Sequence, residues 1–190
     1  MKLANTFKIG TLGKDAQDVT CSILATKSLG SAITIAAFGK FEFAAESLLD
    51  NKIDAMVVPG AYPKIGKFIM DERLVVKDVF TYVIPELVFA SEHATCKEQY
   101  DILYNHPATN PLLSDIRYAK WNAQENVSSN TVACLNVLSS EDDACAITNS
   151  ACAEKYGLFV HQVIRKGINM PFVIYNFSES HSLRFREVIN

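Results

Sequence analysis

Apolar positions in the first part of the chain switch between two periods. Phe7 to Leu12 alternates as a strand ending at Gly13, and Ile33 to Phe38 is a second β-branched apolar run. Between them Asp15 reads as the N-cap of a helix reaching about Leu29, with Ala16, Val19, Ile23 and Lys27 on one side and Gly30-Ser31 as its break. Phe41, Ala44, Ala45, Leu48 and Leu49 form an i, i+3, i+4, i+7, i+8 helical stripe, closed by Asp50-Asn51-Lys52. Ala55 to Val58 has the pattern of a buried parallel strand, ended by Pro59-Gly60. Ala61 to Lys64 then leads into a short helix carrying Ile65, Phe68 and Ile69. The order β-α-β-α-β-α predicts a parallel sheet with helices packed on it.

Leu74 to Ser91 departs from that rhythm as a long β-rich run interrupted by Pro85, the pattern of a chain leaving one sheet for another. The βα alternation then resumes. Ile102 to Tyr104 reads as a short strand, followed after Asn105-His106-Pro107 by a helix through Pro111, Leu112 and Ile116. Asn126 to Ser128 reads as an edge strand and Thr131 to Leu138 as a helix. Ala144 to Thr148 is a buried strand, and Asn149-Ser150 opens a helix that ends at Tyr156-Gly157. Phe159 to Ile164 and Pro171 to Phe177 are the last strands, and the tail from Glu179 reads as a terminal helix or strand. Two sheets joined by crossing strands imply an α/β fold of two lobes with a ligand cleft between them. The expected division is 1–82 plus 165–190 for one lobe and 83–164 for the other.

Composition narrows the class of partner. A net charge of −3 supplies no basic field, so no nucleic-acid partner is expected. The N-terminus goes straight into a strand pattern without an apolar h-region, and no apolar run approaches spanning length, so the expectation is a cytoplasmic protein with no membrane partner. Five cysteines without a CxxC pair and four scattered histidines offer no zinc-type spacing. His93 and Cys96 share a helical spacing, but two ligands do not make a site. Reduced thiols are expected, with Cys145 and Cys152 in the core.

Four strand-end loops carry polar groups without bulk: Thr11 to Gly13, Pro59-Gly60-Ala61-Tyr62, Asn105-His106-Pro107-Ala108-Thr109, and Thr148-Asn149-Ser150. Loops at the carboxyl ends of strands are where open α/β sheets place ligands, and helix starts favour anions. His106 is the histidine placed in such a loop, either as a proton or hydrogen-bond donor or as a structural group. Asn149 and Ser150 either cap their helix or hold an anion, and Lys64 and Lys67 either meet a carboxylate or are solvated. There is no Ser-His-Asp pattern, P-loop, GxGxxG or metal triad, so the chemistry rests on placed polar groups and no cofactor is expected.

Five segments, in order and over almost the whole chain, resemble the prephenate dehydratase catalytic domain: TLGKDAQD (11–18), VVPGAYPKIGKF (57–68), YNHPATNPLL (104–113), AITNSACAEKYGL (146–158) and NMPFVIY (169–175). Within that group they are similar to the prephenate decarboxylases of bacilysin-type and aeruginosin-type natural-product pathways. The resemblance implies a two-lobed, type II periplasmic-binding-protein-like fold. It also implies a small anionic substrate, no ACT regulatory domain and no feedback by phenylalanine, with a homodimer as a further expectation.

The departures set the expected activity. Where the dehydratases carry Thr-Arg-Phe, this chain has Met170-Pro171-Phe172, without the threonine hydroxyl. The dehydratases' Glu-Asn-Ser after Val-Pro is here Gly60-Ala61-Tyr62, an Ala-Tyr similar to the decarboxylases, and their Ser-His-Pro is Asn105-His106-Pro107. The glycine-rich loop is Asp15-Ala16-Gln17-Asp18, whose two carboxylates suit an anion site poorly. Loss of the threonine withholds acid assistance from the leaving hydroxide. The resemblance therefore implies decarboxylation with ring protonation to a non-aromatic dihydro-4-hydroxyphenylpyruvate. The catalytic candidates are His106, Tyr62 and Asn105. The substrate-binding candidates are Thr11, Gly13, Pro59, Gly60, Ala61, Ala108, Thr109, Thr148, Asn149, Ser150, Met170 and Phe172. A dehydratase using another acid and a non-catalytic small-anion binder of the same fold are the alternatives.

Overall fold

A computed structural model of the chain describes residues 6–177, so the reading of the tail from Glu179 lies outside the described residues. The chain divides into two units. Among the described residues the first comprises residues 6–18, Ser22–Tyr82 and residues 169–177; the second comprises Val19–Cys21 and Val83–Ile168.

The first unit is built on a five-stranded sheet of β1 (Phe7–Leu12), β2 (Ile33–Phe38), β3 (Ala55–Pro59), β4 (Val75–Val83) and β10 (Asn169–Asn176), in the order β2-β1-β3-β10-β4. The expected parallel start is present: β1 pairs in parallel with β2 and with β3. The last strand returns antiparallel beside β3, with Phe172 opposite Pro59 and Ile174 opposite Val57. Helix α2 (Phe41–Leu49) packs its predicted stripe, Phe41, Ala44, Ala45 and Leu48, onto Met56, Val58, Val173 and Tyr175. Phe68 of the short helix α3 (Ile65–Ile69) closes the same core. Gly10 leaves room for Ile53 and Phe38 over the sheet, since a Cβ there would stand 2.4 Å from Ile53 Cδ1 and 3.0 Å from Phe38 Cε2.

Helix α1 (Cys21–Lys27) is shorter than the stripe suggested. Asp15 does not cap it: its Oδ1 accepts from the Gln17 N–H at 2.8 Å, a local side-chain turn that competes with helix formation.

In the second unit the sheet runs β7-β6-β8-β5-β9, from β5 (Leu87–Ser91), β6 (Gln99–Asn105), β7 (Lys120–Asn126), β8 (Ala144–Asn149) and β9 (Phe159–Arg165). Strands β6, β7 and β8 are mutually parallel, while β5 runs antiparallel to β8 and β9. The alternation of β5 and β8 sends Val88, Ala90, Ala144 and Ala146 to the face covered by α4 (Asn130–Ser139) and α5 (Ser150–Lys155). Phe89, Cys145 and Ile147 go to the other face, with Tyr100 and Leu103. Pro85 separates β4 from β5, which lie in different sheets as expected. The edge strand is Lys120–Asn126 rather than Asn126 to Ser128, and β6 is longer than Ile102 to Tyr104. The segment after His106 is a 3-10 helix, Pro107–Asp115, because Pro111 within it has no N–H for an α-helical ladder.

Gln99 and Ser91 lie at the end of this sheet opposite to Asn105 and Asn149, and there a polar network holds the β5–β6 loop. Ser91 Oγ lies 2.8 Å from His161 Nε2 and accepts from the Tyr100 hydroxyl at 3.3 Å. His93 Nε2 meets Asp143 Oδ1 at 3.2 Å, and Lys97 Nζ donates to the same oxygen. Burial, and then the charge of His93, hold His161 below the usual histidine range.

Two outcomes follow from this architecture. Gly10→Ala should cost about 1–3 kcal/mol through overpacking against Ile53 and Phe38, read as a fall in Tm. His161 binds a proton less readily folded than unfolded, so its contribution is full above the ordinary value of 6.5 and is lost as the pH falls below it. Denaturant midpoints should therefore drop from neutral pH to mildly acidic pH, and His161→Gln should shrink that drop.

Candidate functional site

In the second unit the loop after β6 carries a closed set of hydrogen bonds. Asn105 is fully buried, and its Nδ2 shares its two hydrogens among His106 O at 3.1 Å, Thr109 Oγ1 at 3.1 Å and Asn110 Oδ1 at 2.8 Å. Its Oδ1 accepts from Gln124 Nε2 at 2.9 Å. The Thr109 hydroxyl donates to His106 O at 2.7 Å. Asn105 and Thr109 thus use their polar atoms to shape the loop. His106, half-buried, accepts the Ala108 N–H on Nδ1 at 3.2 Å, while Ala108 itself is exposed. An accepting Nδ1 leaves the ring proton on Nε2, and burial holds the imidazole below the usual histidine range. His106 therefore presents a neutral N–H donor at neutral pH.

A second cluster forms at the end of β8. Thr148 Oγ1 donates to Asn130 O at 3.0 Å. Asn149 caps α5, its Oδ1 accepting the Cys152 N–H at 2.7 Å, while its Nδ2 donates to Val19 O at 3.1 Å and to Cys21 Sγ at 3.5 Å. Asn130 Nδ2 donates to the same sulfur at 3.4 Å, and the Ser150 N–H is tied to Glu86 O at 2.8 Å. The structure thus joins Thr148, Asn149 and Ser150 to the segment Val19–Cys21 and to the starts of α4 and α5. Burial pushes the Cys21 thiol up to about 12, which keeps it protonated and unreactive. Cys21, Asn130, Asn110 and Gln124 were not anticipated from sequence. Cys21 meets partners 109 and 128 residues away, and such contacts leave no local pattern.

In the first unit Thr11 is fully buried, its hydroxyl donating to Val57 O across the β1–β3 pair at 2.9 Å. The Gly13 N–H donates to Phe38 O at 3.0 Å, and a Cβ there would meet Ile23 Cγ1 at 2.8 Å. The two loop carboxylates turn inward on their own backbone: Asp18 Oδ2 accepts the Lys14 N–H at 2.8 Å, and Asp15 accepts Gln17. They are engaged locally rather than aimed at a ligand.

After β3, the Gly60 N–H donates to Pro171 O at 2.7 Å, and a Cβ on Gly60 would lie 2.9 Å from Pro171 Cγ. Register and this bond gather Pro59, Gly60, Pro171 and Phe172, with Met170 half-buried at the start of the same strand. Phe172 is fully buried and stacks on Phe80, ring centroids 5.5 Å apart. Tyr62 turns its hydroxyl to Glu42, donating at 3.0 and 3.1 Å to the two carboxylate oxygens. Burial, then the Glu42 carboxylate, push its phenol up to about 12. Its hydroxyl is a weak acid already in use. Lys64 Nζ lies 3.9 Å from Glu42 Oε1, so this lysine addresses the same carboxylate. Among the described residues no group of three or more His, Cys, Asp and Glu side chains is placed to hold a metal ion.

No protein-family model matches the chain. In sequence it is similar to a prephenate decarboxylase of Planktothrix agardhii (strain NIVA-CYA 126/8), 31% identical over 113 residues, which is 57% of this chain and 56% of that protein. In fold it is similar to the prephenate dehydratase of Arthrobacter aurescens in complex with L-Phe, with a TM-score of 0.66 and 15% identity over 90% of this chain and 60% of that one. The prephenate dehydratase of Staphylococcus aureus subsp. aureus Mu50 gives a TM-score of 0.60 and 13% identity over 91% and 68%. A periplasmic substrate-binding protein of an ABC transporter from Coxiella burnetii gives 0.53 and 14% over 96% and 91%. The chain spans a little over half the length of the curated relative, 56% of it. The solved structures establish the fold, a two-lobed α/β architecture shared by the dehydratases and periplasmic binding proteins. The sequence match is thus to a protein named prephenate decarboxylase, and two of the fold matches are to prephenate dehydratases.

Proposed function

We propose that the chain is a prephenate decarboxylase forming a non-aromatic dihydro-4-hydroxyphenylpyruvate, a carboxy-lyase of non-proteinogenic amino-acid and antibiotic biosynthesis working in the cytoplasm. The observation that carries the reading is the 31% identity to a prephenate decarboxylase over 57% of the chain. The chemistry of the candidate groups agrees with it. Aromatisation needs an acid to carry off the ring hydroxyl, and the groups available are a neutral imidazole at His106 and a Tyr62 phenol engaged with Glu42. Met170 brings no hydroxyl to the position where the dehydratases carry threonine.

In this reading the bond between the quaternary ring carbon and its carboxylate breaks, releasing carbon dioxide. The electron pair moves into the ring diene, a proton from water forms the new C–H bond, and the 4-hydroxyl stays. The protein's contribution is orientation and selective hydrogen bonding. In the second unit the loop shaped by Asn105 and Thr109, exposing Ala108, presents the His106 Nε2–H as a donor. Thr148, Asn149 and Ser150 brace the starts of α4 and α5 in the same unit. In the first unit Thr11 and Gly13 shape the β1 loop, the turn of Pro59, Gly60, Ala61 and Tyr62 offers the Ala61 N–H, and Met170 lies half-buried ahead of Phe172, which is buried as packing. The dehydratase-like fold makes loss of hydroxide the alternative outcome.

Incubation of the purified protein with prephenate, followed by ultraviolet absorbance and proton NMR, separates these. Vinyl protons of a dihydro product are expected; phenylpyruvate formed faster than without protein would make the chain a dehydratase. His106→Ala should lower kcat/KM by about 10²-fold, with His106→Gln intermediate because an amide N–H can still donate. Activity should stay level from pH 8 down to the ordinary histidine value of 6.5 and fall only below it, because burial keeps the ring neutral over that range. A decline starting above that value would assign the dependence to another group.

A further inference from the structure

The turn after β3 carries one donor that the fold does not use. The Gly60 N–H is bonded to Pro171 O at 2.7 Å and the Tyr62 N–H to Pro59 O at 2.9 Å. Among the described residues no acceptor meets the Ala61 N–H between them, and Ala61 is exposed. An N–H whose neighbours on both sides are bonded has a fixed direction, which suits recognition of a carboxylate or carbonyl oxygen.

The far side of this turn is anchored on α2. Tyr62 lies edge-on to Phe41, ring centroids 4.8 Å apart, and stacks on Phe68 at 5.9 Å. Ring contacts leave a tyrosine free to slide, whereas its hydroxyl bond to both Glu42 oxygens fixes where the ring rests. Burial alone would raise the Glu42 carboxyl, but its own backbone N–H, the Tyr62 hydroxyl and the charges of Lys64 and Lys67 outweigh that and hold it below the usual carboxylate range. The carboxylate is therefore ionised and its charge is answered locally, so it does not act as a bare anion toward an anionic substrate.

We propose that Glu42 is a positioning residue: through the Tyr62 hydroxyl it holds the Pro59–Tyr62 turn so that the Ala61 N–H meets a carboxylate oxygen of the substrate. This rests on the prephenate reading above. It assigns the Tyr62 hydroxyl to the turn and leaves the ring proton to water. It also separates Glu42, which touches no substrate, from the N–H that does.

The test compares wild type, Glu42→Ala, Glu42→Gln, Tyr62→Phe and the Glu42→Ala/Tyr62→Phe double variant. Loss of a contact made alike in ground and transition states raises KM and leaves kcat, so Glu42→Ala and Tyr62→Phe should each raise KM for prephenate about tenfold with kcat within about twofold. The double variant should be no worse than either, since both remove one bond. Glu42→Gln keeps an acceptor and should restore a KM near wild type. An unchanged KM in Glu42→Ala, a fall in kcat alone as from a smaller folded fraction, or a Glu42→Gln as impaired as Glu42→Ala would each overturn the proposal. Amide hydrogen exchange at Gly60 and Tyr62, read by NMR without substrate, should quicken in Glu42→Ala and recover in Glu42→Gln. If wild type leaves prephenate untouched, the prephenate reading fails, while equal exchange rates in all variants would independently refute the Glu42 anchor.

Discussion

The bond from the Gly60 N–H to Pro171 O, 2.7 Å long, joins the turn after β3 to the start of the chain's returning strand. Around it the β3–β10 register places Phe172 opposite Pro59, and the absence of a side chain at Gly60 gives the Pro171 ring its room. The consequence reaches outward. With β10 seated, β4 gains its partner, Phe172 is sealed under Phe80, and Tyr175 enters the core beneath Phe68. The Pro59–Tyr62 turn and the Met170–Phe172 segment are thereby parts of one rigid piece, although more than a hundred residues separate them in sequence.

The second unit solves a similar problem with side-chain amides. Asn105 and Asn149 are each buried at the end of a strand and each satisfy a loop that would otherwise leave backbone groups unpaired. Asn149 does more, because its Nδ2 reaches Val19 and Cys21 and so fastens a three-residue segment of distant sequence to the helix it caps. A residue that caps, and also binds a remote segment, tolerates few replacements: Ser keeps the cap and loses the reach.

Local sequence pattern read much of this architecture. The strands Phe7–Leu12 and Ile33–Phe38, helix α2, the buried β3 and the cap-to-glycine span of α5 followed from periodicity and end signals carried within a few residues. The misread stretches share a cause. Asp15 has the right identity for a cap, but its side chain closes a turn two residues on, and only the fold shows which bond wins. Lys120–Asn126 is polar and exposed along nearly its whole length, so an edge strand there offers no alternation to see. Candidate loops were legible as places, because strand ends are recognisable. The partners Glu42, Gln124, Asn130 and Cys21 were not, since each is chosen by tertiary contact.

The position of β10 also bears on how this chain is made. On the ribosome, residues 83–168 of the second unit emerge as one continuous stretch, needing only Val19–Cys21 from what came before. The first sheet cannot be finished then. Until residues 169–176 appear, β3 lacks its antiparallel neighbour and β4 has nothing beside it, so the earlier-born unit carries two open edges while the later-born one is complete. The unit synthesised first is closed last, and the strands left waiting for a neighbour are β3 and β4 rather than any of the second sheet.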